Sequence, residues 1–223
     1  MRFRNLSAAL IAGAVAIVGM TAVARADMSF RVVSIGGAVC RDRCAMAIVA
    51  DGEITDATPD EFLDFVRANA QSRNLHSVVL LNSPGGKVVA SMALGRVFRK
   101  VGALTIVARA GVDSDGRGYI ARGRCFSACV YALMGGRKRI VPPESVVGIH
   151  RMVAVESGAD PAGGSMERRR FDNGDMRNML SKYSADMGVS RDLINTAEQT
   201  PNDGIHIVSA RELARWRLGT SRF

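Results

Sequence analysis

From Ala45 onward the chain alternates short apolar runs with longer amphipathic stretches, and that alternation constrains the fold more than any other feature. Ala45 to Ala50, Ser77 to Leu81 and Leu104 to Ala108 are too short for helices and read as buried strands. Between them, Thr58-Pro59-Asp60-Glu61 reads as a capping box with proline at the first helical position. The helix it opens carries Phe62, Phe65, Val66 and Ala70 on one face, and Val88 to Val101 repeats the pattern. Strands separated by helices are joined by crossovers, which run neighbouring strands in the same direction. The fold class is therefore α/β, a mainly parallel sheet flanked by helices.

The rest of the chain extends this frame. Ala110 to Arg124 is rich in glycine and charge and reads as an irregular insertion. A helix from about Ser127 to Met134 precedes strands near Arg139 to Val141 and Val146 to Ile149. Val155 to Gly164 reads as a flexible stretch, followed by helices over Met166 to Met187 and Arg191 to Gln199. A short strand at Ile205 to Val208 and a second capping box, Ser209-Ala210-Arg211-Glu212, lead into a last helix. No linker divides these elements, so residues 27–223 read as a single domain, and 48% hydrophobic residues suffice for its core.

Residues 1–26 read as a cleaved secretory signal. Arg2 and Arg4 form a positive start, Ala8 to Met20 is apolar and uncharged, and Ala24-Arg25-Ala26 has the small-x-small cleavage pattern. The apolar run falls short of the ~20 residues a membrane span needs. Loss of Arg2, Arg4 and Arg25 lowers the formal charge from +9 to +6. The expected location is periplasmic or secreted. Arg137-Lys138-Arg139 reads as a solvated turn, and Arg168-Arg169-Arg170 as the solvated start of a helix. With one Trp and three Tyr, the chain lacks the aromatic-lined basic stripe of a nucleic-acid binder.

Export makes disulfides the default for the four cysteines, Cys40, Cys44, Cys125 and Cys129. No histidine accompanies either pair and the spacing is x3, so zinc is disfavoured and no metal is expected. Cys44 precedes the strand Ala45 to Ala50, whereas loops built for chemistry gather at the far, carboxyl end of such a strand. A strand of that length spans ~20 Å, and a disulfide needs Cα atoms within about 7 Å. Local bridges, Cys40–Cys44 and Cys125–Cys129, are the expected connectivity. On a regular helix the second pair would sit near the distance limit, so its bridge should distort the first helical turn and pin Ser127 at the helix entrance.

Two strand-to-helix junctions carry residues fit for chemistry. Pro84-Gly85-Gly86 allows close backbone approach and exposes N–H groups. It is not a phosphate loop, because the first glycine of that motif is missing and Val88 replaces its Ser or Thr. At the second junction Ser127 is either a helix cap or a nucleophile. Of the three histidines, His76 begins a strand and His206 lies between isoleucines, whereas His150 ends the apolar run Val146 to Ile149. An imidazole at a strand end is placed to take the proton that makes a serine hydroxyl nucleophilic.

The ordered set Leu81-Asn82-Ser83-Pro84-Gly85-Gly86, Ser127 before Ala132-Leu133-Met134-Gly135-Gly136, and Val147-Gly148-Ile149-His150 resembles the Clp protease proteolytic subunit. More loosely it resembles signal-peptide peptidase A, also of the crotonase-like superfamily. The resemblance covers about Ala45 to Arg151, and more loosely Met166 to the end. Its Cys125-Phe126-Ser127-Ala128-Cys129 element resembles that of exported members carrying Cys-x-Ser-Ala-Cys. The resemblance implies repeated β-β-α units, with Ser127 as nucleophile and His150 as general base. The N–H groups of Gly86 and Ala128 would form the oxyanion hole, each donor supplying ~10²–10³ in rate. Asp203 is the nearest carboxylate for the third role, although it lies two residues further from Ser209 than the family pattern, with Asn202 as an alternative and turn chemistry as a sufficient explanation. A serine–lysine dyad would draw on Lys182 instead.

The sequence departs from the family in the longer interval between Gly86 and Ser127, in the residues flanking Ser127, and in lacking unfoldase-docking loops. The expected function is an exported serine hydrolase, a peptidase acting on peptides or unfolded protein, homo-oligomeric, without a cofactor and without an ATP-driven unfoldase. The alternative is an inactive oligomeric binding module. An acyl-CoA enzyme is a third reading, which export disfavours.

Overall fold

The computed structural model describes residues 26–34, 45–71, 75–112, 118–159, 165–171 and 174–222. Its central sheet is built on the apolar runs identified above. β2 (Met46–Asp51), β3 (Leu75–Asn82) and β4 (Leu104–Val112) pair in parallel, Ala50 beside Leu81 and Leu80 beside Ile106. β1 (Ser29–Ser34) adds an antiparallel edge to β2. The fold is α/β, crotonase-like, with a parallel-rich sheet and flanking helices.

The described residues of the stretch expected to be an irregular insertion are mostly strand instead. β4 runs on to Val112 and returns antiparallel as β5 (Gly118–Arg122), with Ala108 opposite Arg122. β6 (Arg124–Phe126) then leaves this sheet, and Ser83 beside Cys125 joins the end of β3 to it. After α1 (Thr58–Ala68), α2 (Val88–Lys100) and α3 (Cys129–Gly135), β7 (Lys138–Ile140) pairs in parallel with β4. β8 (Val146–Ile149) lies parallel to β6 and forms the second, smaller sheet.

A second difference follows β8. Residues read as loop and helix form the hairpin β9 (Val153–Ala159) and β10 (Ser165–Phe171), so Arg168, Arg169 and Arg170 lie on a strand. Helix begins only at α4 (Asp175–Asp186), because Gly174 before it has φ +106°, a left-handed conformation that stops the helix extending backward. α5 (Asp192–Gln199), β11 (His206–Ile207) and α6 (Ala210–Arg215) complete the chain, β11 pairing antiparallel with β8.

The first capping box does not form. Thr58 is already helical behind Ala57, and its hydroxyl accepts from Thr55 N–H at 2.9 Å. The second forms as read: Ser209 Oγ accepts from Glu212 N–H, and the Glu212 carboxylate accepts from Ser209 N–H at 2.9 Å.

Apolar burial holds the layers together. Phe62 of α1 and Phe98 of α2 are fully buried and meet edge-on, ring centroids 5.0 Å apart. Arg139, expected in a solvated turn, is drawn inside. Its guanidinium donates to the carbonyls of Met134, Gly136, Met187, Leu218 and Arg217. Burial, together with neighbouring Arg99 and Arg217, lowers its pKa to about 10, against a smaller opposing pull from Tyr183. Carbonyls at the ends of α3 and α4 are what a cation satisfies best, so this charge ties helices together rather than facing water.

Candidate active site

Ser127 lies between β6 and α3 with φ +56°; among the described residues, Arg217 is the other non-glycine residue with positive φ. A side chain bearing Cβ pays ~1–2 kcal/mol for that conformation, so the surroundings must hold it. Ser127 N–H donates to Gly148 O at 2.9 Å, and Ser127 O accepts from Val130 N–H at 3.1 Å. A disulfide joins Cys125 to Cys129 across it, Cα atoms 5.3 Å apart, both cysteines fully buried. Gly85 closes the other side: a Cβ there would lie 2.8 Å from Phe126 O and 2.9 Å from Ser127 Cβ. The two junctions singled out in the sequence are thus packed on one another.

The capping alternative for Ser127 does not hold. The cap position of α3 is Ala128, with no side-chain cap, and among the described residues the Ser127 hydroxyl makes no hydrogen bond. It is half-buried and uncommitted. The disulfide forms because Cys125 is on a strand, not on a helix, and the turn at Ser127 brings the two cysteines together. Cys40 and Cys44 lie outside the described residues, as do residues 1–25.

Two backbone donors at these junctions are uncommitted. Neither Gly86 N–H nor Ala128 N–H has an acceptor among the described residues. Gly86 is exposed with φ +134°, and a Cβ there would collide with Ile54 O, so the position admits only glycine. Ala128 N lies 3.3 Å from where a Gly85 Cβ would stand, which sets it against the glycine loop.

Pairing of Phe126 with Gly148 puts His150, just past the end of β8, on the strand neighbouring Ser127. His150 is half-buried, and its Nδ1 lies 2.9 Å from Arg151 O. A carbonyl only accepts, so Nδ1 carries a hydrogen, and in the neutral ring the lone pair is then at Nε2. Among the described residues no hydrogen bond joins Ser127 to His150. Arg151 fixes this strand end by a feature the sequence does not signal: its N–H donates to Thr200 O at 2.9 Å and its guanidinium to Glu198 O at 2.8 and 2.6 Å.

Asp203 is exposed in the turn where Gly204 N–H donates to Pro201 O, and no hydrogen bond among the described residues links it to His150. Lys182 is 76% exposed and pairs with Asp186 at 2.9 Å, a helix-surface arrangement unsuited to a base. Tyr131, one turn into α3, is fully buried; burial first and the Glu198 charge second push its hydroxyl well above the usual range, so it serves no base either. No cluster of metal-ligating side chains occurs among the described residues, and none of their helices is long and apolar enough to cross a membrane.

His206 stands across β8 from Ser127, opposite Ile149, and its Nε2 meets Glu212 Oε1 at 2.9 Å. Burial alone would raise the Glu212 carboxyl. The hydrogen bonds from Ser209 and His206 and the His206 charge outweigh it and hold the carboxyl below its ordinary 4.5. A depressed folded-state pKa contributes stability that is complete above the unfolded value and lost as pH falls through the folded one. The melting-temperature difference between wild type and Glu212→Gln is therefore expected to shrink as pH falls below 4.5, as followed by circular dichroism.

No family model and no curated protein matches the chain. Solved structures do. The 1510-N membrane-bound stomatin-specific protease, as a serine-to-alanine mutant, superposes with a TM-score of 0.51 at 17% identity, over 77% of this chain and 75% of that one. A lysine-to-alanine mutant of the same protease, holding a substrate peptide, gives 0.50 at 17% identity over 77% and 71%. A ClpP1 mutant from Listeria monocytogenes gives 0.48 at 14% identity over 78% and 88%. The chain has the fold of Clp-like serine peptidases.

Proposed function

We propose that this protein is an exported serine hydrolase, a peptidase with Ser127 as nucleophile and His150 as general base. The observation that carries the reading is the left-handed elbow: Ser127 stands between strand and helix at φ +56° with its hydroxyl unbonded among the described residues. A serine serving only as a cap would give up its hydroxyl to the helix, and would need no such backbone.

In the reaction, the neutral His150 ring takes the Ser127 proton at Nε2 as Oγ attacks the substrate carbonyl. The Gly86 and Ala128 N–H groups receive the resulting oxyanion, and the imidazolium returns its proton to the leaving amine. Nδ1–H is given to Arg151 O in the resting site, which keeps Nε2 free to accept. Asp203, the carboxylate expected in the third role, makes no hydrogen bond to His150 among the described residues, and in this reading the Arg151 carbonyl orients the ring. A peptide substrate accords with the peptide-bound stomatin protease of like fold. The positive, apolar and small-x-small order of residues 1–26 supports export, to periplasm or medium, and the reading includes a homo-oligomer.

Reaction with a fluorophosphonate probe tests the reading. The purified wild-type protein is expected to gain one covalent label at Ser127, and Ser127→Ala none. A folded wild type that stays unlabelled sinks the hydrolase and favours the binding module.

A further inference from the structure

We propose that the Cys125–Cys129 disulfide is the positioning device of the nucleophile, and that oxidation of this pair converts a latent serine hydrolase into a competent one. The inference rests on the hydrolase reading above. Ser127 has an ordinary alternative: α3 extended backward through Cys125, which would place Ser127 inside the helix and remove the elbow. In that helical form Cys125 and Cys129 would be four residues apart on one face, with Cβ atoms ~5–6 Å apart. A disulfide holds Cβ atoms at about 3.5–4.5 Å. The bond therefore fits the elbow, where Cys125 sits on β6, and excludes the helix.

The surrounding contacts cooperate without replacing it. Ser127 N–H to Gly148 O and the close approach of Gly85 favour the elbow. Neither contact is covalent, and both are lost if the segment rewinds. Both cysteines are fully buried, so once formed the bond is shielded from thiols in solution.

The oxidant is a low-molecular-weight or protein disulfide. The thiolate of one cysteine attacks it and expels one thiol, leaving a mixed disulfide. The thiolate of the second cysteine attacks the sulfur of the first and expels the other thiol. Two protein thiols and one disulfide thus become one protein disulfide and two thiols. Synthesis in a reducing compartment would leave the chain latent, and export would switch it on.

The experiment compares fluorophosphonate labelling of the reduced and the oxidised wild-type protein, neither of which carries a substitution. Reduction is expected to slow the maximal labelling rate roughly five- to thirtyfold, the population factor that matches the left-handed penalty. Half-saturating probe concentration, pH profile and circular dichroism should not change. Oxidised glutathione should restore the rate. So should diiodomethane, which joins the two sulfurs through one methylene and cannot be reversed by thiols. A Cys125→Ala/Cys129→Ala protein should stay slow with or without oxidant. Equal rates for the folded reduced and oxidised proteins overturn the proposal and leave the hydrolase standing. Loss of labelling only together with loss of fold overturns it too, since the bond would then be a general staple. An oxidised protein that never labels refutes the hydrolase itself.

Discussion

Peptide hydrolysis is expected to fall by about 10⁶ in the Ser127→Ala protein and by a comparable factor in His150→Gln, with the double variant no slower than either single one. The reason is that the two side chains would act as one unit. Without the imidazole the hydroxyl keeps its proton, and without the hydroxyl the imidazole has nothing to activate. Gly86 and Ala128 N–H survive in all three proteins, so a residual rate above that of water should persist. Asp203→Asn is expected to cost less than about tenfold, because Asp203 is exposed and has no hydrogen bond to His150 among the described residues. Steady-state kinetics on a fluorogenic peptide, with melting temperatures as the control for folding, decides all four. Additive losses from Ser127 and His150 would dismantle the pairing, and a large Asp203 effect would show that substrate closes the turn onto the histidine.

The second large effect is structural. Gly135→Ala is expected to destabilise the fold by about 1–3 kcal/mol, a drop of roughly 2–12 °C in melting temperature. α3 crosses α2 with backbone nearly touching backbone: a Cβ on Gly135 would collide with the Gly95 carbonyl. Gly95 is itself closed in, its own Cβ position standing 2.6 Å from Tyr131 O and against the Tyr183 hydroxyl. That hydroxyl donates to Tyr131 O at 2.8 Å, tying α4 to the same crossing. Neither helix can yield without the other, so the added methyl must push α3 away. Since α3 starts just beyond Ser127, fluorophosphonate labelling should slow as well, for small displacements of a nucleophile are costly. Calorimetry and labelling rate on the same preparation test both halves. Unchanged stability would mean that the crossing is looser than these distances allow.

Much of this arrangement is legible in the sequence because it is local. Short apolar runs ended by glycine are strands wherever they fall, and the Ser209–Glu212 box closes on itself within one turn. The order of glycine pair, serine and histidine likewise points to the junctions that the structure brings together around Ser127. Thr58 fails as a cap although its motif is as good on paper, because Thr55 offers its hydroxyl a nearer partner. The run from Met166 has residues a helix would accept, yet it pairs with β9 instead, and strand pairing is a bargain between segments that no single stretch reveals.

What the sequence by itself determined is the α/β layout and the chemical types at the two junctions, because both depend on near neighbours along the chain. Tertiary structure alone decided the conformation of those residues. The carbonyl of Gly148, the close approach of the Gly85 backbone and a covalent bond between Cys125 and Cys129 hold Ser127 in a backbone it would not otherwise choose. Arg139 is drawn inward by carbonyls contributed from Met134 to Leu218, a convergence that charge counting along the chain misses. Asp203 is left outside, since the turn that carries it is shaped by Pro201 and Gly204 rather than by His150. Each outcome depends on contacts between residues distant in sequence, and such contacts exist only once the layers have packed.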